Sequence, residues 1–232
     1  MMGKFRDQLL VIPEKEDLER NAVAAVWEEY GGDVMRVSRF WDPPQLPIGK
    51  VRLYGNHLFC LILAEKLGLK LLSPADDLLM KFSPKWLKRT IRKSSIIEAA
   101  GFVYPCFIKS LVPKLFTARR YDSYSELLGE CIMLAGDTLL IYSDLVTFKA
   151  EARAFILNGQ IVSLSLYEGE ADLKEAMIFL QAFIMENLPL LPVTCVLDLG
   201  DIVDAGWAIL EANPVWGAGL NGGDPLAAAE CI

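Results

Sequence analysis

Apolar and polar positions follow two different rhythms along this chain, and the rhythm changes near residue 102. Leu9–Ile12 is an unbroken apolar run that opens a sheet. Residues 14–30 then space Leu18, Ala22, Ala25 and Val26 along one helical face, with acid at the start and Gly31-Gly32 as the stop. Val34–Phe40 and Val51–Tyr54 predict two more strands. Asn56 caps a helix over His57–Leu67 that Gly68 ends, and Leu69–Leu72 predicts another strand. This alternation predicts a small α/β unit. Residues 73–104 predict basic helices with Pro74 and Pro84 at their starts. A boundary is expected near Phe102, which makes residues 1–101 an N-terminal α/β unit with a basic helical connector.

Beyond that boundary strands dominate. Pro105–Ser110, Thr117–Tyr121 and Thr138–Ser143 predict strands, and Tyr124–Leu134 a helix. Lys149–Leu157 and Gln160–Tyr167 flank Asn158-Gly159, the dipeptide most favoured in two-residue hairpin turns. Asp172–Leu188 is an amphipathic helix, and Thr194–Leu199 with Trp207–Ala212 closes the set as a second hairpin. Grouped strands and helices of this kind indicate an α+β domain over residues 102–232.

Composition narrows the chemistry. With 232 residues and 53% hydrophobic content the chain can bury a substantial core. A net charge of −7 argues against a nucleic-acid or anionic-membrane partner, and no apolar run reaches the ~18 residues that span a bilayer. The N-terminus meets charge too early for a signal peptide. Cys60, Cys106, Cys131, Cys195 and Cys231 sit singly in apolar stretches, as buried thiols of a reducing, cytoplasmic protein do. His57 is the one histidine, so any catalysis rests on carboxylates, Lys, Arg and a bound ion. No GxxxxGK[ST], GxSxG or HExxH occurs.

The second hairpin carries acid where buried strands are apolar: Asp198 on its first strand, Glu211 and Asn213 on its second. Glu211 and Asn213, at i and i+2, share a face, and strand pairing brings Asp198 close to both. Three hard oxygen donors without His or Cys suit Mg²⁺, which fills its remaining shell with water and phosphate oxygens. A solvated turn with an Asp cap is the bland alternative. Lys109, inside the apolar strand FIKSLVPK, either meets an anion such as phosphate or snorkels from an edge. Asp144 ends the strand LLIYSDLV, either as an ordinary strand end or beside a ribose. Glu151 and Arg153 share a face in EARAF, as a structural ion pair or with the arginine aimed at a phosphoryl group.

Taken in order, the segments VYPCFIKSLVPK, YSDLV, FKAEARAFILNGQIVSLSLY and VLDLG…GWAILEANPVWGAGL resemble the ATP-grasp superfamily. The wording of EARAF and EANPVWGAGL is most similar to a divergent bacterial branch, related to the eukaryotic ATP-grasp protein that assists assembly of translation initiation factor 2. The resemblance implies an ATP-grasp fold with residues 102–232 as the nucleotide- and Mg-binding domain. It implies that Lys109 and Lys114 contact ATP phosphates and that Asp144, Leu145 and Val146, with Glu151, line the nucleotide. Arg153 and Lys114 would act on the reacting phosphate, and Asp198, Glu211 and Asn213 would hold Mg²⁺. The loop after Lys114, LFTARRYDS, departs from the family in having no glycine, and Arg119 or Arg120 would then supply charge there.

The activity implied is ATP-dependent activation of a carboxylate as an acylphosphate, followed by attack of an amine on a small molecule, peptide or protein. An ATP-binding assembly factor without turnover and a phosphotransferase on the same scaffold are the alternatives. A homodimer is the base-rate expectation for assembly.

Overall fold

The computed structural model describes residues 3–232. Three short strands, β1 (Leu9–Pro13), β2 (Asp33–Val37) and β3 (Val51–Leu53), form a parallel sheet in the order β2-β1-β3. The central strand is the unbroken apolar run, and Leu10, Val11 and Ile12 are fully buried in it. Helix α1 (Leu18–Glu29) begins later than the apolar spacing predicts, because Asp17 caps it by accepting from Arg20 N and leaves Glu14–Glu16 outside. Helix α2 (His57–Leu67) has its predicted limits: Asn56 accepts from Phe59 N, and Gly68 takes the left-handed φ of +64°. Leu69–Leu72, expected as a strand, has no ladder. Leu69 N closes α2 onto Ala64 O, and Leu72 O accepts from the Trp216 indole, so these backbone groups are satisfied elsewhere.

Residues 73–104 are not the expected run of basic helices. They hold two 3₁₀ turns (Leu78–Lys81 and Glu98–Gly101), the four-residue helix α3 (Pro84–Leu87) and a strand, β4 (Ile91–Ser95). With β5 (Cys106–Ser110), β6 (Arg119–Tyr121) and β7 (Leu139–Ser143) it makes an antiparallel sheet ordered β4-β7-β5-β6. The basic residues Arg92 and Lys93 are exposed on β4, an edge strand, where charge is tolerated. Helix α4 (Tyr124–Glu130) stops short of the predicted Leu134, with Cys131 N closing its last turn.

A third sheet, in the order β11-β10-β8-β9, comprises β8 (Phe148–Leu157), β9 (Gln160–Gly169), β10 (Thr194–Ile202) and β11 (Gly206–Asn213). Asn158 and Gly159, at φ +51° and +72°, turn β8 into β9 as predicted. Helices α5 (Leu173–Asn187) and α6 (Pro225–Cys231) complete the chain. Among the described residues no helix is long and apolar enough to cross a membrane.

Two compact units result. One gathers the described residues up to Pro74 with Ala150–Leu199 and Glu211–Ile232; the other gathers Ala75–Lys149 with Gly200–Leu210. In the first, Leu10, Ile12 and Trp27 share a buried cluster with Phe155, Val196, Val215 and Ala228, so the N-terminal sheet packs into one core with β8, β10 and α6. The second has its own core around Ile108, Tyr121, Leu127 and Leu140.

Candidate functional site

β8 alternates Ala150, Ala152 and Ala154 into the core with Glu151 and Arg153 on the other face. Arg153 reaches across to β10 and grips Asp198 with both arms of its fork. Its Nε donates to Oδ1 at 2.7 Å and its Nη2 to Oδ2 at 2.8 Å, with the two side chains only 12% and 7% exposed. The third arm, Nη1, donates to the Gly219 carbonyl at 2.8 Å. Burial opposes the arginine's charge, but the hydrogen bond and charge of Asp198, helped by Tyr167 and Glu19, outweigh it and raise its pKa further. Arg153 therefore stays charged.

The acid hairpin brings its polar side chains together as the alternation predicts. Asn213 Nδ2 donates to Asp198 Oδ2 at 3.0 Å and to Glu211 Oε2 at 3.3 Å. Glu211 and Asn213 are half-buried, whereas Asp198 is buried. Among the described residues no three His, Cys, Asp or Glu side chains converge as a metal set. Two carboxylates and one amide do converge. The amide that now donates to both acids presents its oxygen after a half-turn, which gives a set of hard oxygen donors on one face. This set fits a magnesium ion that keeps part of its water.

Arg153 pairs with Asp198 and not with Glu151, the structural ion pair considered from sequence. Glu151 accepts instead from Tyr167 Oη at 2.7 Å. The register slips between Glu151 and Ala152, which pair with Glu168 and Leu166, so Tyr167 is the extra residue of a β-bulge. Burial first, and then the Glu151 hydrogen bond, hold its phenol well above the ordinary value and therefore neutral.

The loop after Asn213 is held along its backbone. Tyr54 Oη donates to Ala218 O at 3.0 Å, and Ser165 Oγ to Asn221 O at 3.1 Å. The Glu19 carboxylate accepts from Leu220 N and Asn221 N, each at 2.8 Å. With Arg153 on Gly219 O, side chains secure four consecutive residues. Sequence reasoning does not single out Glu19, Tyr54 or Tyr167. Glu19 and Tyr54 are remote in the chain from what they hold, and Tyr167 is delivered by a bulge that leaves no local signature.

The other predicted residues lie in the second unit. Lys109 is half-buried on β5, paired across to Ile141 of β7. Lys114 is exposed in the turn beyond, at a left-handed φ of +67°. Asp144, just after β7, accepts from Thr90 N at 3.0 Å through Oδ2, while its own N–H donates to Thr90 O, so it pins the start of β4. Leu145 and Val146 follow in an extended connector to β8. Arg119 and Arg120 are committed locally: Arg119 to Glu126 and Glu130, Arg120 to Asp122.

A family model described as an ATP-grasp domain, the second family of its clade, matches residues 86–231. No curated protein sequence matches the chain. Among solved structures, a RimK domain protein ATP-grasp from Sphaerobacter thermophilus is similar at a TM-score of 0.62 and 12% identity, over 89% of this chain and 90% of that one. The macrocyclase MdnC from Microcystis aeruginosa, bound with precursor peptide MdnA, gives a TM-score of 0.55 and 13% identity over 97% and 98%. D-alanine–D-alanine ligase from Bacillus anthracis, complexed with ATP, gives 0.50 and 12% over 92% and 86%. At such identities the likeness is one of fold.

Proposed function

Because this chain belongs to that ATP-grasp domain family and has the expected α+β ATP-grasp fold, we propose that it is an ATP- and Mg²⁺-dependent carboxylate–amine ligase. The observation that carries the reading is the convergence of Asp198, Glu211 and Asn213 beside a charged, bidentate Arg153. Such a site offers positioning and charge neutralisation rather than a strong base, which is what phosphoryl transfer asks of a protein.

In this reading Asp198, Glu211 and Asn213 hold Mg²⁺, which when bound neutralises charge on the phosphate oxygens. Lys109 and Lys114 take the ATP phosphates, and Asp144, Leu145, Val146 and Glu151 line the nucleotide. A substrate carboxylate oxygen attacks the γ-phosphorus and ADP leaves. An amine then attacks the acyl carbon, loses its proton and expels phosphate. Arg153 keeps its charge through both steps, and Lys114 supplies a second cation to the transferring phosphoryl group. The acceptor we propose is a peptide, by analogy of fold with a macrocyclase bound with its precursor peptide. Relation to the eukaryotic initiation-factor assembly protein rests on the EARAF and EANPVWGAGL wording alone, and a cytoplasmic location on the unpaired cysteines.

Thermal unfolding with and without Mg-ATP tests the nucleotide site. At ~100 times its dissociation constant a ligand adds about 2.7 kcal/mol to the folded state. The wild type is expected to gain that stability only when Mg²⁺ is present, and Glu211→Ala/Asn213→Ala to lose the gain. No shift at saturating nucleotide in a folded sample would overturn the reading. Release of ADP only when an amine acceptor is supplied separates a ligase from a binding protein.

A further inference from the structure

The first unit contains a cavity of about 570 Å³, within the roughly 300–1,000 Å³ typical of small-molecule sites. Phe5, Trp27, Leu53 and Trp216 are among its apolar walls. None of Arg153, Asp198, Glu211 or Asn213 lines it, so it is a different site from the acid hairpin. It abuts the loop that follows Asn213, because Val215 and Trp216 form part of its wall.

Its charge runs against that of the molecule. In a chain of net charge −7 the cavity collects three cations, Lys4, Arg52 and Lys70, and a single acid, Glu230, which Lys4 neutralises. Arg52 donates to the carbonyl of Val51, its own neighbour, at 3.1 Å. Among the described residues neither Arg52 nor Lys70 has a carboxylate in an ion pair. Two uncompensated cations beside aromatic and aliphatic walls match one ligand chemistry.

We propose that this cavity binds a small organic anion with an apolar body, the body against Trp27 and Trp216 and the anionic head at Arg52 and Lys70. Apolar walls supply the affinity, and the two cations select a charged head over a neutral one. The proposal is independent of the ATP site, and nothing in it requires turnover.

Calorimetric titration with decanoate and with decanol tests it, using the intact chain as wild type, Arg52→Glu and Lys70→Glu. The wild type should bind one decanoate per chain and bind decanol more weakly. Each charge reversal should weaken decanoate about tenfold or more and leave decanol unchanged. Mg-ATP should not compete. Arg52→Gln and Lys70→Gln, which remove charge without reversing it, should weaken decanoate in the same direction if a reversal fails to fold. Absence of saturable decanoate binding, equal affinity for decanol, or indifference to all four variants would overturn the proposal. Displacement of decanoate by Mg-ATP would also overturn it, since it would place the ligand in the nucleotide site.

Discussion

Glu19 shows how much one side chain can organise. It lies in the first turn of α1, yet its carboxylate satisfies two consecutive backbone donors, Leu220 N and Asn221 N. A Cβ at Gly219 would come within 2.6 Å of Glu19 Oε2, so the loop backbone is packed directly on the carboxylate. Removing the acceptor leaves two half-buried N–H groups with nothing in its place, which costs roughly 1–3 kcal/mol. Glu19→Ala should therefore lower the urea midpoint by that amount at unchanged slope, with Glu19→Gln losing less because one oxygen remains. A change within ~0.5 kcal/mol, as at ordinary surface positions, would show that the clamp does not matter. The residues around Asp198 divide in the same way between legible and hidden. Glu211 and Asn213 are readable because alternation is local. The partner of Arg153 is not, because Asp198 is 45 residues away in sequence and the pairing depends on β8 lying beside β10.

Among the elements, sequence reading succeeds where a turn or cap residue fixes the backbone and fails where tertiary pairing decides. Asn56 and Gly68 delimit α2 as predicted, because capping is a local hydrogen bond. β4 reads as helix because IRKSS has no apolar alternation; an edge position and pairing with β7 make it a strand. Leu69–Leu72 fails in the opposite sense, being apolar without a partner. The β8–β9 turn is the clearest case of local control. Gly159 has φ +72°, and an added Cβ would approach Leu188 Cδ1 to 2.4 Å. Gly159→Ala should cost about 1–2 kcal/mol through the left-handed backbone. In a Leu188→Ala background the Cβ contact disappears and the backbone strain remains. Thermal unfolding should therefore show most of the loss persisting there. Full recovery in that background would mean that crowding, not φ, made glycine necessary.

Each compact unit carries its own thiols: Cys60, Cys195 and Cys231 in the first, Cys106 and Cys131 in the second. All five are buried without disulfides, the placement expected from their isolated apolar settings. The units themselves, assembled from three and from two chain segments, are set by long-range strand pairing that no reading along the chain displays. Burial pushes the Cys60 and Cys195 thiols up to about 12 and Cys231 to about 11, and raises Cys106 and Cys131. At pH 8 almost no thiolate exists in the folded protein, so iodoacetamide should react only with opened molecules. Native protein should remain unlabelled over an hour and take five labels in denaturant. In dilute urea Cys106 and Cys131 should gain label together, and the other three together, as expected if each core opens as a unit. The raised values also fix the alkaline limit. The unfolded thiols lose protons near their ordinary value of 9.0 while the folded ones do not, so the stability they contribute is complete below pH 9 and declines as pH rises towards 12. Rapid labelling of any thiol in native protein at pH 8 would contradict both statements, since it requires a thiolate that the buried setting disfavours.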